Sequence, residues 1–220
     1  MPNGQAQPSP GPCVRVTPHY AVLADRKGGA HFLLIATDAV SGIEDPAVLA
    51  PASTNYFEAA WESRDQLDPV VGHPLVRESI GLAINSARAR GQDRLHIHIE
   101  CLRPRLQQYL QSAAASIGEH WAPLPSPDFP YLALRVRGET LRDANPIALL
   151  AAGEPAARQD MGAYTIVVAA MSFDDGPGFI VLAGRTAEGP AALLPPAPGL
   201  VPPGETLLDS TCAVDSKPTP

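Results

Sequence analysis

Two histidines set one residue apart, His96 and His98, are followed by a carboxylate at Glu100 in the run Gln92-Asp93-Arg94-Leu95-His96-Ile97-His98-Ile99-Glu100-Cys101. Read with a period of two, the run is a strand. Leu95, Ile97, Ile99 and Cys101 share one face; His96, His98 and Glu100 share the other. Same-face neighbours on a strand stand roughly 6.5–7 Å apart at ~3.3 Å per residue. Both rings can therefore reach one phosphate or one metal ion. A neutral imidazole can attack, ligate or pass a proton. Three uses are open to the pattern: surface histidines on a solvated sheet face, metal ligands, or catalytic groups.

The elements around this run must position it. The segment Glu78–Asn85 reads as a strand with Ile80, Leu82 and Ile84 inward. It is joined to the histidine strand through Asn85-Ser86 and the basic loop Ala87-Arg88-Ala89-Arg90-Gly91, so the two strands are antiparallel neighbours. Val14–Leu23 and His31–Ala36 flank the turn Asp25-Arg26-Lys27-Gly28-Gly29 and form a hairpin. Asn55–Leu67, with Thr54 as its cap, carries Phe57, Ala60, Trp61 and Arg64 at helical spacing. Trp61 reads as core. Pro104 opens a helix over 105–117 that Gly118 ends. Tyr131–Val136 is a strand and Asn145–Ala152 a short helix. Tyr164–Met171 and Phe179–Ala183 surround the hairpin turn Asp174-Asp175-Gly176-Pro177-Gly178.

The 220 residues suit one domain with extensions, and 45% hydrophobic residues suffice for a core. Proline-rich stretches mark a disordered tail at 1–12 and a C-terminal segment at 187–220, leaving 13–186 as the domain proper. The net charge is −7 and no Lys/Arg cluster occurs, which argues against nucleic-acid binding. No apolar run approaches the ~20 residues of a membrane span. The start lacks the pattern of a signal peptide. Cys13, Cys101 and Cys212 are far apart, so a zinc site is not expected among them. One disulfide with one remaining thiol would suit an oxidising compartment, and three thiols a reducing one.

A strand delivering Asn85, a turn offering backbone N–H groups, and a strand bearing two imidazoles make a phosphate-handling order of events. The pattern Asn85, then Gly91-Gln92-x-x-x-His96-Ile97-His98-Ile99, resembles the signature of the histidine-triad superfamily. The upstream His31-Phe32-Leu33-Leu34-Ile35 is similar to that superfamily's preceding strand. The resemblance puts His98 in the nucleophile's place and His96 in the first histidine's. Glu100 stands where the third would be, a departure from the plain triad hydrolases.

A closer resemblance is to bacterial CDP-diacylglycerol pyrophosphatase. It rests on Leu82-Ala83-Ile84-Asn85-Ser86, Gln92, His96-Ile97-His98-Ile99, Cys101 and Arg103-Pro104. Further matches are Pro46, Asn55-Tyr56-Phe57, Ala60-Trp61, Arg64, Trp121-x-Pro123-Leu124-Pro125, Tyr131-Leu132-Ala133 and Met161-Gly162-x-Tyr164. These cover roughly residues 13–185. Beyond residue 186 the likeness thins, except for Cys212.

The resemblance implies an α+β, histidine-triad-like fold: a mainly antiparallel sheet, helices on one face, and a C-terminal α/β extension. It implies cleavage of CDP-diacylglycerol to CMP and phosphatidate, with His98 attacking the CMP-side phosphorus. His96 would orient the reacting phosphate. Asn85, Ser86, Gln92 and Arg103 would bind substrate, and His31 would support His98; Arg88 is a weaker candidate. No metal or cofactor is implied. A carboxylate beside a phosphate would repel it, so Glu100 is expected either to pair with a cation or to lie away from the phosphate. The expected location is the bacterial inner membrane, at its periplasmic face, with the anchor absent from this chain. A disulfide involving Cys13 or Cys212 is expected. Two alternatives stand beside this reading. One is a histidine-triad-like hydrolase or transferase of a soluble nucleotide, such as a dinucleoside polyphosphate or another CDP-alcohol. The other is a non-catalytic module binding nucleotide or zinc.

Overall fold

A computed structural model describes residues 13–26, 28–186 and 199–213. The chain runs β1 (Cys13–Val16), β2 (Tyr20–Ala24), β3 (Phe32–Ala36), α1 (Tyr56–Trp61), α2 (Asp68–Val71), β4 (Ile80–Ile84), β5 (His96–Leu102) and α3 (Pro104–Ala113). It continues through β6 (Ala122–Pro123), β7 (Leu132–Arg137), α4 (Pro146–Gly153), α5 (Pro155–Gln159), β8 (Tyr164–Phe173), β9 (Gly176–Arg185) and β10 (Leu208–Asp209). The strands form one sheet in the order β1-β2-β3-β5-β4-β8-β9-β7-β6, with β10 also pairing β5. Every pairing between these strands is antiparallel.

The register decides which residues share a face. Leu33 and Ala83 lie on either side of His98, and Gly81 lies opposite Glu100. His31, one residue before β3, thus falls on the histidine face, directly across from Glu100. The other face carries Ile97, Ile99 and Cys101 with Ile80, Leu82 and Ile84. There α1 brings Phe57 and Trp61, and α4 brings Ile147 and Leu150, into the larger core. On the histidine face the apolar layer begins at Ala83 and Leu102 and is completed by Leu106 and Leu110 of α3, with Leu207 and Leu208. Helices thus flank both faces, not the one face expected. Leu102 is the reason: it continues the histidine parity along β5, so the face turns from polar to apolar within one strand and needs its own cover.

Several local expectations shift by a few residues. Val14–Leu23 is two strands, because Thr17 and Pro18 make a corner. Thr17 Oγ1 accepts hydrogen bonds from the N–H of Tyr20 and of His19 at 3.0 and 3.3 Å, and Pro18 has no N–H for a ladder. The helix expected over 55–67 closes at Trp61. Its cap is Asn55, whose side chain accepts the Glu58 N–H at 3.2 Å. The β8–β9 hairpin forms where its turn residues predict it, with Gly176 at φ 125°. No helix among the described residues is long and apolar enough to cross a membrane.

Of the proline-rich tail at 1–12 and the C-terminal segment at 187–220, only 199–213 lies among the described residues, and that part packs on the domain. Val201, Gly204, Leu207 and Leu208 are buried. β10 pairs with Leu102 and Cys101, continuing the line of β3 beyond the end of that strand. Ala30 N–H donates to Ser210 C=O at 2.8 Å. The chain then crosses to the opposite face, where Cys212 forms a disulfide with Cys101. Close approach here requires small residues. A Cβ on Gly81 would come within 2.5 Å of Leu208, and one on Gly204 within 2.5 Å of Thr165 Oγ1.

Candidate active site

His31, His96, His98 and Glu100 are all buried. They are therefore not surface histidines on a solvated sheet. The 31-to-100 register places His31 Nε2 at 3.1 Å from His98 Nδ1 and 3.3 Å from Glu100 Oε1. Glu100 Oε1 is in turn 3.9 Å from His98 Nδ1. Asp25, at the start of the β2–β3 turn, puts Oδ1 3.9 Å from His31 Nδ1. The two rings stack with centroids 5.3 Å apart. These ligating atoms of His31, His98 and Glu100 lie within 4.8 Å of one another, a spacing a shared proton or a small cation would fit. His96 is not part of that triangle. Its Nδ1 donates to the Arg94 C=O at 2.8 Å, which fixes the tautomer and leaves Nε2 as an acceptor. Its ring meets His98 edge-on at 5.4 Å.

Glu100 lies against His31, and the side of His98 on which it stands matters. It stands behind the His98 ring, at Nδ1. A carboxylate there stabilises a positive charge on the imidazole and holds the ring in place, the role of the acidic member of a catalytic triad. It does not stand where a phosphate would meet Nε2.

The Nε2 side is closed by a residue that sequence reasoning missed. Glu205 Oε2 lies 3.2 Å from His98 Nε2, at a half-exposed side chain. Glu205 sits in a 3₁₀ turn, Gly204–Leu207, of the C-terminal segment. Asn85, itself buried, holds that turn: its Oδ1 accepts the Glu205 N–H at 3.3 Å. The Gly204 N–H donates to Thr165 Oγ1 at 2.9 Å. Only Cys212 signalled that this part of the chain belongs with the rest.

The other expected site residues divide. Ser86 is fully buried and its hydroxyl shares a short hydrogen bond with Thr186. Its C=O accepts the N–H of Ala89 and Arg90, both at 3.1 Å, closing the loop. Gln92 is exposed on the approach to β5. Arg103 is exposed and turned to the C-terminal segment, with Nε donating to Leu208 C=O at 3.2 Å. Arg88 pairs with Asp160 at 2.9 Å. Arg90 is held by Glu44 at 2.7 Å and by Asp93 at 3.0 Å, which pins the 85–91 loop. Burial pushes the Glu44 carboxyl up, but its hydrogen bond to Arg90 and its backbone contact outweigh that and hold it below the ordinary carboxylate range.

A model of the CDP-diacylglycerol pyrophosphatase family matches residues 1–216. The chain belongs to this family and is a hydrolase of CDP-diacylglycerol.

Proposed function

From that membership, we propose that the reaction proceeds through a nucleotide bonded to His98. The carrying observation is the asymmetric setting of that ring: Nδ1 is backed by His31 at 3.1 Å and by Glu100, while Nε2 meets the half-exposed Glu205 carboxylate at 3.2 Å. In the attacking tautomer the His98 proton sits on Nδ1, where His31 Nε2 accepts it at 3.1 Å with Glu100 Oε1 3.9 Å away, and the lone pair is on Nε2. That lone pair attacks the CMP-side phosphorus, the P–O bond to phosphatidate breaks, and phosphatidate leaves. The imidazolium formed is balanced by Glu100. Water then displaces the nucleotide and CMP departs. His96 Nε2, an acceptor, orients substrate or a protonated phosphate beside the reacting centre. Asn85, Ser86, Gln92 and Arg103 are assigned to substrate binding on the family motif, with Asn85 nearest the ring through its bond to the Glu205 turn. No cofactor enters this scheme.

Placement in the histidine-triad-like group is part of the proposal. It is supported by the His-x-His strand between β3 and β4 and by His31 on the neighbouring strand. We also place the reaction at a membrane surface on the periplasmic side of a bacterial inner membrane. A lipid-linked substrate and the Cys101–Cys212 disulfide support that location. CMP release from CDP-diacylglycerol in mixed micelles tests the function. Wild type should release CMP and His98→Ala should not. Faster turnover of CDP-choline or a dinucleoside polyphosphate than of CDP-diacylglycerol would overturn the lipid substrate.

A further inference from the structure

The His98 ring stands between two carboxylates, Glu100 at Nδ1 and Glu205 at Nε2. The first stands with His31 behind the ring, on the side away from the attacked phosphorus. The second sits against the atom that would bond to phosphorus and takes no part in the attack itself. Its placement is not incidental to a loose terminus. The turn bearing it is held by Asn85, by Thr165 and by the β10 pairing, and the chain is closed a few residues later by the Cys101–Cys212 disulfide. The backbone is fixed while the carboxylate stays half-exposed. Such a side chain can turn aside for a phosphate and still reach what is bonded to Nε2.

We propose that Glu205 is a catalytic residue, the base for the water that releases CMP from His98. This rests on the nucleotidyl-histidine reading above. The step balances within the residues present. Water oxygen forms a bond to phosphorus as the P–Nε2 bond breaks, and that electron pair returns to Nε2. The proton from water passes to the Glu205 carboxylate. Once CMP leaves, the half-exposed carboxylate gives that proton to solvent, and His98 is again protonated at Nδ1 with its lone pair on Nε2, 3.2 Å from Glu205 Oε2. A general base at this point contributes typically 10²–10⁴-fold. The charged groups facing this position are His98 itself, with Glu100 and His31 behind it. No Lys or Arg among the described residues forms an ion pair with Glu205 in this structure.

The test uses Glu205→Gln and Glu205→Ala in the full chain, with CDP-diacylglycerol as substrate and phosphatidate and CMP measured separately. In Glu205→Gln the first half-reaction continues. One equivalent of phosphatidate should appear as a burst, CMP release should slow by about 10²-fold, and an alkaline-quenched sample should carry a nucleotide adduct by intact mass. Added formate should restore CMP release to Glu205→Ala, a rescue that a merely structural role would not give. CMP release within about threefold of wild type, or equal slowing of both products with no adduct and no rescue, overturns the proposal. If wild type turns over, His98→Ala is dead and only the Glu205 results fail, this inference falls alone. If His98→Ala keeps its activity, the covalent reading falls first.

Discussion

The two sides of the His98 ring are built by opposite means. The Nδ1 side is made by sheet register: β3 and β5 pair, and His31 meets His98 and Glu100 with no residue of irregular chain between strand and site. The Nε2 side is made by a short, separately tethered segment whose few contacts must each hold. Ladder geometry is distributed over many hydrogen bonds and a buried core, so it tolerates local change. A tethered turn concentrates its positioning in a disulfide, a two-residue strand and a pair of side-chain hydrogen bonds. Changes on the first side should act on chemistry and leave the fold standing. Changes on the second should act on stability and chemistry together.

The largest effect is expected from His98→Ala, which removes the nucleophile. CMP release should fall by about 10³-fold or more, with an unchanged thermal midpoint outside the loss of one small cluster. A residue only positioning substrate would raise KM with kcat largely kept.

Glu100→Gln should come next. It removes the charge that balances the imidazolium and should lower kcat by roughly 10–10²-fold with little change in KM. Full activity in this variant would show that Glu100 is merely a buried strand residue.

Cys212→Ser sharpens the contrast from the other side. Loss of a disulfide closing a sequence separation of 111 should cost about 2–4 kcal/mol in urea unfolding. Activity should fall by no more than Glu205→Gln, because Asn85, Thr165 and β10 still hold the turn. Activity unaffected by the loss would mean that those contacts alone place Glu205.

The smallest effect is expected at the loop clamp. Arg90→Ala frees the Glu44 contact and should raise KM about threefold at neutral pH with kcat near wild type, the loss of one partly buried charge pair of roughly 1 kcal/mol. The Glu44 carboxyl has a depressed pKa in the folded protein. Its contribution is therefore present above the ordinary carboxylate pKa and is lost as pH falls through the folded value. The difference between Arg90→Ala and wild type should shrink accordingly in acid.

Much of the Nδ1 side was legible from residue order. Period-two alternation placed His96, His98 and Glu100 on one face, and adjacency placed β4 beside β5. His31 followed from its resemblance to the strand that precedes the histidines. Charge alone left Glu100 two places, against a cation or away from the phosphate, and its location behind the ring required the register. The Nε2 side was not legible. Glu205 lies in a proline-flanked stretch with no periodicity, and its role comes from long-range pairing and from glycines that permit close approach. Cys212 was the one marker, and sequence could not say which cysteine it met. The charge of Arg88 and Arg103 is visible in the sequence and their partners are not: Arg88 pairs with Asp160, and Arg103 Nε donates to the Leu208 C=O.

The central claim is a double displacement at the CMP-side phosphorus, with His98 as the intermediate carrier. Its most direct measurement is the stereochemical course at that phosphorus, using a substrate made chiral there with sulfur and water bearing heavy oxygen. Two successive in-line displacements predict net retention, with the heavy oxygen in CMP. Net inversion, or heavy oxygen in phosphatidate, would contradict the account.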